Sequence, residues 1–216
     1  MINMNFEDQV WINTDAEEWT LSPNKAVWRK PLEREAAESG RATSLVKFAA
    51  NATFTPHEHP GGEEIFVLDG VFSDEHGDYA AGSYLRNPAN SHHTSFSRSG
   101  CTLLVKLNQF QADDHATVRI DTHQAEWFSG IHQVQIMPLH QFGTEHVCLV
   151  KWPKGERFNP NHGSKGEEVF ILSGELREGQ SIYPAHSWLR FPQTQIHALE
   201  AIEDSVIWLK AGHLPK

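Results

Sequence analysis

The chain carries one pattern twice. Leu45-Val-Lys-Phe48 returns as Leu149-Val-Lys-Trp152, and Gly62-Glu-Glu-Ile-Phe-Val-Leu-Asp-Gly70 returns as Gly166-Glu-Glu-Val-Phe-Ile-Leu-Ser-Gly174. Ser83-Tyr-Leu-Arg-Asn-Pro88 returns as Ser187-Trp-Leu-Arg-Phe-Pro192, His93 falls on His197, and Lys106 falls on Lys210. The offset stays at 104 residues through all of these matches, from Leu45 to Lys106. Upstream, Thr14-Asp-Ala-Glu-Glu-Trp19 echoes Thr122-His-Gln-Ala-Glu-Trp127 at a slightly larger offset. Solenoid units are far shorter, ~20–50 residues. The two halves, about 10–108 and 118–210, therefore read as whole domains, and we divide the chain at 1–112 and 113–216.

Within each half the local grammar is strand and turn. Short β-branched, aromatic and aliphatic runs such as Ile65-Phe-Val-Leu68, Cys101–Leu107, Val147–Trp152 and Val206-Ile-Trp-Leu209 are broken by Gly, Pro, Asn and Asp. Pro31–Gly40 has a composition that a helix would accept. Its counterpart, Pro138–Gly143, runs three residues shorter before the shared Leu-Val-Lys. A hairpin tip absorbs that deletion better than a helix, so a hairpin is expected. Many short strands with few helix signals predict an all-β barrel or sandwich in each half.

Composition narrows the function classes. The net charge is −10 with histidines neutral, and no Lys/Arg cluster is present. A nucleic-acid surface needs such a cluster, so none is expected. No stretch approaches the ~20 apolar residues of a membrane span. The N-terminus shows no basic segment followed by an apolar one, so a cytoplasmic protein is expected. Cys101 and Cys148 both sit in apolar runs and read as reduced core thiols.

The chemistry-bearing residues concentrate in the first half. His57 and His59 are two apart, so on a strand both imidazoles face one side. Pro60-Gly61-Gly62 makes a turn, and the next strand opens with Glu63 and Glu64, of which only one can face inward. His92 and His93 follow Pro88 and compete in the same way. Three imidazoles and one carboxylate suit a single divalent ion with coordination positions left open. Zn, Fe(II), Mn, Ni and Cu all accept that set.

This spacing resembles the two motifs of the cupin superfamily. The first runs Gly, five residues, His-x-His, three or four residues, Glu, six residues, Gly. The second runs Gly, five residues, Pro-x-Gly, two residues, His, three residues, Asn. Here they read Asn51 in place of Gly, His57, His59, Glu63 and Gly70, then Gly82, Pro88, Asn90 in place of Gly, His93, and Ser97 in place of Asn. The register implies His57, His59, Glu63 and His93 as the ligands, over Glu64 and His92. The run from Glu63 to Pro88 is similar to the cupin domain of ChrR-type anti-sigma factors. The resemblance is strongest over 27–107 and covers both halves more loosely. It implies two tandem cupin barrels (a double-stranded β-helix, or jelly roll, in each half) with one divalent ion per chain. Zinc is the expectation, and iron, manganese or nickel are the alternatives.

The second half loses most of this set. At the 104 offset His57 and His59 become Asn161 and Gly163, while Glu63 and His93 persist as Glu167 and His197. His162 lies one position out of register and faces away on an unchanged strand. A degenerate, metal-poor second barrel is expected, with a rebuilt site of His162, Glu167 and His197 as the alternative. Arg86 and Arg190 recur in Leu-Arg-x-Pro and read as repeated structural ion pairs rather than anion clamps. Tyr84, Trp188, Phe66 and Phe170 read as core. His115, His123, His132, His140 and His146 follow no ligand pattern and read as surface or turn residues.

The resemblance implies a stress-response, sensing or small-ligand-binding role. ChrR-like proteins grip a sigma factor through a separate N-terminal zinc domain. About ten residues precede the first repeat here and no His-x-x-x-Cys-x-x-Cys element is present, so direct sigma-factor binding is not expected. Two-barrel cupins also include metal-dependent dioxygenases of small aromatic or diketone substrates. That is the second class of function, with Glu63 able to double as a base. A small-molecule ligand fits both classes, and a homodimer through edge strands is an expectation from resemblance.

Overall fold

The computed structural model describes residues 1–158, 166–193 and 198–215. Among them the regular structure is strand, apart from one 3-10 turn at Thr14–Ala16. The all-β expectation holds, and so does the hairpin. Val27–Arg34 pairs antiparallel with Ala42–Phe48, and Gln135–Phe142 with Glu145–Trp152. Pro31 and Pro138 each sit where the register slips, since a residue without an N–H cannot hold a regular ladder position. No helix among the described residues is long and apolar enough to cross a membrane.

Two compact units form. One holds residues 1–4 and 18–125, the other residues 5–17 and 126–216. This differs from the contiguous division at 112/113 expected from the repeat. Val10–Asn13, the first strand of the first repeat, pairs with Ser187–Phe191 of the second unit. Val118–Asp121, the first strand of the second repeat, pairs with Ser83–Asn87 of the first unit. The physical reason is that both strands pair at sheet edges. Edge pairing uses backbone groups common to all residues, so nothing in the repeat itself names the partner.

In the first unit the main sheet runs, in spatial order, Val118–Asp121, Ser83–Asn87, Glu63–Asp74, Cys101–Leu107, Ala42–Phe48, Val27–Arg34 and Thr20–Leu21, all antiparallel. The twelve-residue strand Glu63–Asp74 continues beyond that sheet to pair with Gly77–Ala80 and, at Ser73, with Phe96. Gly70 (φ 73°) pairs with Cys101, just beyond the slip between Thr102 and Leu103. A Cβ at Gly70 would lie 2.2 Å from the Gly100 carbonyl oxygen, so only glycine fits.

Period-two alternation separates two faces of this sheet. Ile65, Val67, Leu85, Leu103 and Val105 turn inward with Phe48 and Phe72 to form the core. The alternate positions Glu64, Tyr84, Arg86 and Lys106 are also buried and are internally paired. The second unit repeats the inward set with Val169, Ile171, Leu189, Ile207 and Leu209, joined by Trp152, Leu176 and Phe191. Phe66, Tyr84, Phe170 and Trp188 are all buried, as expected.

Both cysteines are free thiols. Burial pushes Cys101 up to about 11 and Cys148 up to about 12. A raised thiol value favours the fold below the ordinary thiol range, and that contribution fades as pH climbs through the folded value. At about pH 8 neither thiolate is populated, so both should be inert to Ellman's reagent in the native protein and both should react after unfolding. Fast native reaction of either thiol would contradict the packing.

Candidate metal centre

The site is built on a two-stranded ribbon in the first unit. His57–His59 pairs antiparallel with Ser91–His93, which sets His93 directly opposite His57 and Ser91 opposite His59. Alternation puts His57 and His59 on one face, and the cross-strand pairing adds His93 to it. Asn51 and Asn90, which stand where the cupin motif has glycine, both take positive φ (62° and 63°). Asparagine tolerates that left-handed conformation, so the turns survive the substitutions. Ser97, the third departure, is buried and donates to the Val71 carbonyl.

His57, His59 and His93 converge, each offering a ring nitrogen within 4.8 Å of the others. Ring centroids stand 4.8 Å apart for His57–His59 and His59–His93, and 5.3 Å apart for His57–His93. Glu63 opens the next strand after Gly62, whose φ of 81° completes the turn that sequence placed there. Glu63 Oε2 lies 3.5 Å from His59 Nε2 and 3.4 Å from His93 Nε2. Glu64 points the opposite way, to the Tyr84 hydroxyl (2.5 Å) and Arg86 (3.3 Å). His92 is exposed while His93 is buried. The parity implied by the cupin motif is the one the strands adopt.

These residues fit a metal ion. Donors sharing an ion at ~2.1 Å stand roughly 3 to 3.4 Å apart, close to the two Glu63 spacings. His59 Nε2 is buried with no hydrogen-bond partner among the described residues, an expensive arrangement for a polar atom unless something else binds it. Two further ring nitrogens lie near acceptor oxygens. His57 Nδ1 is 3.0 Å from the Thr55 carbonyl oxygen, and His93 Nδ1 is 3.7 Å from Asp74 Oδ2. Such partners turn Nε2 toward the ion.

Without an ion, the electrostatics push the two buried imidazoles in opposite directions. Desolvation dominates at His59 and lowers its pKa despite the nearby Glu63, keeping the ring neutral. At His93 desolvation also pulls down, but the Asp74 contact and Glu63 carry the value upward overall. Burial raises Asp74, yet His93, the His76 N–H, Arg119 and Tyr79 outweigh it and hold a carboxylate there.

Sequence reasoning missed the supporting residues. Asn87 sits directly across from Glu63 and donates from Nδ2 to Glu63 Oε2 at 2.9 Å. Its only signal was a change to Phe191 within the otherwise matched Ser-x-Leu-Arg-x-Pro. Asp74 and Arg119 gave none. Of the alternative second site, Glu167 is buried on Glu167–Ser173, while His162 and His197 lie outside the described residues. Arg86 forms the expected ion pairs, with Glu64 and with Asp114 at 2.6 Å. Arg190 donates to the Asn5 carbonyl and lies over the Phe6 ring.

A cavity of about 600 Å³ shares its wall with the centre. His57, His59 and Glu63 line it together with Val46, Phe48, Phe54, Ile65, Phe72 and Leu103. Arg29 also reaches it and is held by the exposed Glu38 at 3.0 Å.

Comparison with known proteins gives the fold and the family. The structure resembles a protein from Nostoc punctiforme described provisionally as a dioxygenase (TM-score 0.78, 15% identity, covering 97% of this chain and 85% of that one). It also resembles a bacterial pirin from Escherichia coli in complex with nickel(II) (TM-score 0.70, 12% identity, 94% and 98%). A third is the oxalate decarboxylase of Bacillus subtilis, described with Mn(II) centres (TM-score 0.64, 14% identity, 94% and 76%). At these identities the likeness is one of fold. No curated protein matches the sequence. The family model described as the ChrR cupin-like domain matches residues 7–111 and again 115–215, and the chain therefore belongs to that family, as a two-repeat member of the cupin superfamily.

Proposed function

We propose that the first unit is a divalent-metal centre of the enzyme type, held by His57, His59, His93 and Glu63, that receives a small, largely apolar organic ligand through its oxygen atoms. The observation that carries this reading is the cavity, which shares its wall with His57, His59 and Glu63. Structural metal sites are closed by protein ligands, whereas catalytic ones keep a position open to solvent or substrate. The size is ordinary for a small-molecule site, which is typically ~300–1,000 Å³. A divalent ion bound there would supply Lewis acidity at the ligand's oxygen atoms, and iron would add O₂ chemistry.

The protein's own part follows from its residues. Phe48, Phe54, Phe72 and Ile65 exclude water and favour an aromatic or alkyl body. The neutral imidazoles leave the ion its charge, and Glu63 offsets part of it. Glu63 is also a buried carboxylate beside the ion, placed to take a proton from a bound ligand. A dioxygenase acting on a small aromatic or diketone substrate fits all of these features.

The second reading is a ChrR-like sensor that binds metal and ligand without turnover. The family match across both repeats favours it. Metal analysis of protein purified without a chelating column, followed by O₂ uptake on an aromatic and diketone panel, separates the two. Turnover with iron is the expected result. Tightly held zinc, with ligand binding but no turnover, would favour the sensor. Protein that holds no divalent ion near one per chain would remove both.

A further inference from the structure

The ligand residues rest on a group that the motif does not contain. Arg119 lies on Val118–Asp121, which opens the second sequence repeat but completes the first unit's sheet beside Ser83–Asn87. It pairs with Leu85, so its side chain shares a face with Asn87, two residues along. Arg119 Nη2 donates to Asn87 Oδ1 at 2.5 Å, and Nη1 donates to the Arg86 carbonyl at 2.9 Å. Arg119 Nε donates to the Tyr79 hydroxyl at 3.2 Å, and that hydroxyl donates to Asp74 Oδ1 at 3.2 Å. Arg119 Nη2 is also 3.8 Å from Asp74 Oδ2, the oxygen that faces His93 Nδ1.

The chemistry of the asparagine amide makes this arrangement directional. An amide has a donor end and an acceptor end. A guanidinium can only donate, so it claims Oδ1 and turns Nδ2 toward Glu63. Asn87 then presents an N–H to the Glu63 carboxylate and fixes its rotamer. Through Tyr79 and Asp74 the same guanidinium braces His93.

We propose that Arg119 is a positioning residue for the metal centre, orienting Glu63 through Asn87 and His93 through Asp74, so that the site is assembled from both sequence repeats. This rests on the metal reading above. The second unit supports it by contrast. There Val10–Asn13 takes the same edge in the same register, with Trp11 paired to Leu189 as Arg119 is to Leu85. Trp11, half-exposed against the Tyr183 ring, stands in place of the guanidinium and the core residue Phe191 in place of the amide, and neither can pass on a hydrogen bond as the Arg119–Asn87 pair does.

Cobalt(II) titration of the full chain tests this, read by calorimetry and by the visible d–d bands. Arg119→Met should weaken cobalt binding about 10- to 100-fold and shift the bands. Asn87→Leu, which breaks only one of the two arms, should also weaken binding, the double variant should be no worse than Arg119→Met alone, and Arg119→Lys should fall between wild type and Met. Unchanged affinity and bands in Arg119→Met, or losses that add in the double variant, would overturn the proposal. If Arg119→Met does not fold, Arg119→Lys decides, because it keeps the charge while losing the forked donation to Asn87 and Tyr79; wild-type affinity and bands in it would overturn the proposal. Wild-type protein that takes up no cobalt sinks the metal reading as well, whereas wild-type binding with insensitive variants sinks only the role of Arg119.

Discussion

Replacing His59 with alanine should give a folded protein that has lost its ion. His59 is 4% exposed, and its Nε2 has no hydrogen-bond partner within the described residues, so in the metal-free protein it contributes packing but no hydrogen bond through that atom. Its removal takes away one of three converging imidazoles. The loss in affinity should far exceed the roughly 10- to 100-fold expected for residues that only support ligands. Glu64→Ala should do the reverse. Glu64 is as buried as His59 but serves Tyr84 and Arg86 on the other face of the sheet, so that variant should keep the ion and lose stability. Elemental analysis and thermal melting of the two variants check this. If Glu64→Ala were metal-free and His59→Ala were loaded, the strand parity behind the whole site would be wrong.

Arg86→Met should produce the largest loss of stability of any single change considered. Arg86 is fully buried, its Nη1 is 3.3 Å from Glu64 Oε1, its Nη2 is 2.6 Å from Asp114 Oδ2, and its guanidinium lies 4.0 Å over the Phe110 ring. Removing one partner of a buried ion pair strands the other, at a cost of about 3–5 kcal/mol. Here two carboxylates are left behind. Urea unfolding of the full chain, compared at the first transition because two units need not melt together, provides the measurement. Metal content at native conditions should be unchanged, since Glu63 occupies the opposite face. A variant as stable as wild type would reopen the reading of Arg86 as an anion clamp, which the sequence pattern also allowed.

Much of the candidate site was legible before folding because alternation along a strand is local. His57 and His59 had to share a face. Between Glu63 and Glu64 one had to turn away, and the cupin spacing named which. The turn residues were legible too, with Asn51 and Asn90 taking the left-handed conformation that glycine would take. Asn87 was half-visible, as a polar residue that becomes Phe191 in the second repeat. Arg119 was invisible, because it reaches the centre only through a strand pairing that crosses the repeat boundary.

The sequence alone determined that the chain would form strands, that it would form them twice, and that the first repeat would carry three imidazoles and a carboxylate at metal-ligand spacing. Those properties reside in side-chain chemistry and in a two-residue period, and both can be read along a line. Tertiary structure alone decided which strand closes each sheet, which polar groups stand behind the ligands, and that an apolar cavity adjoins them. Edge strands join through N–H and C=O groups that every residue shares, so the partner is selected by the packing of the whole molecule.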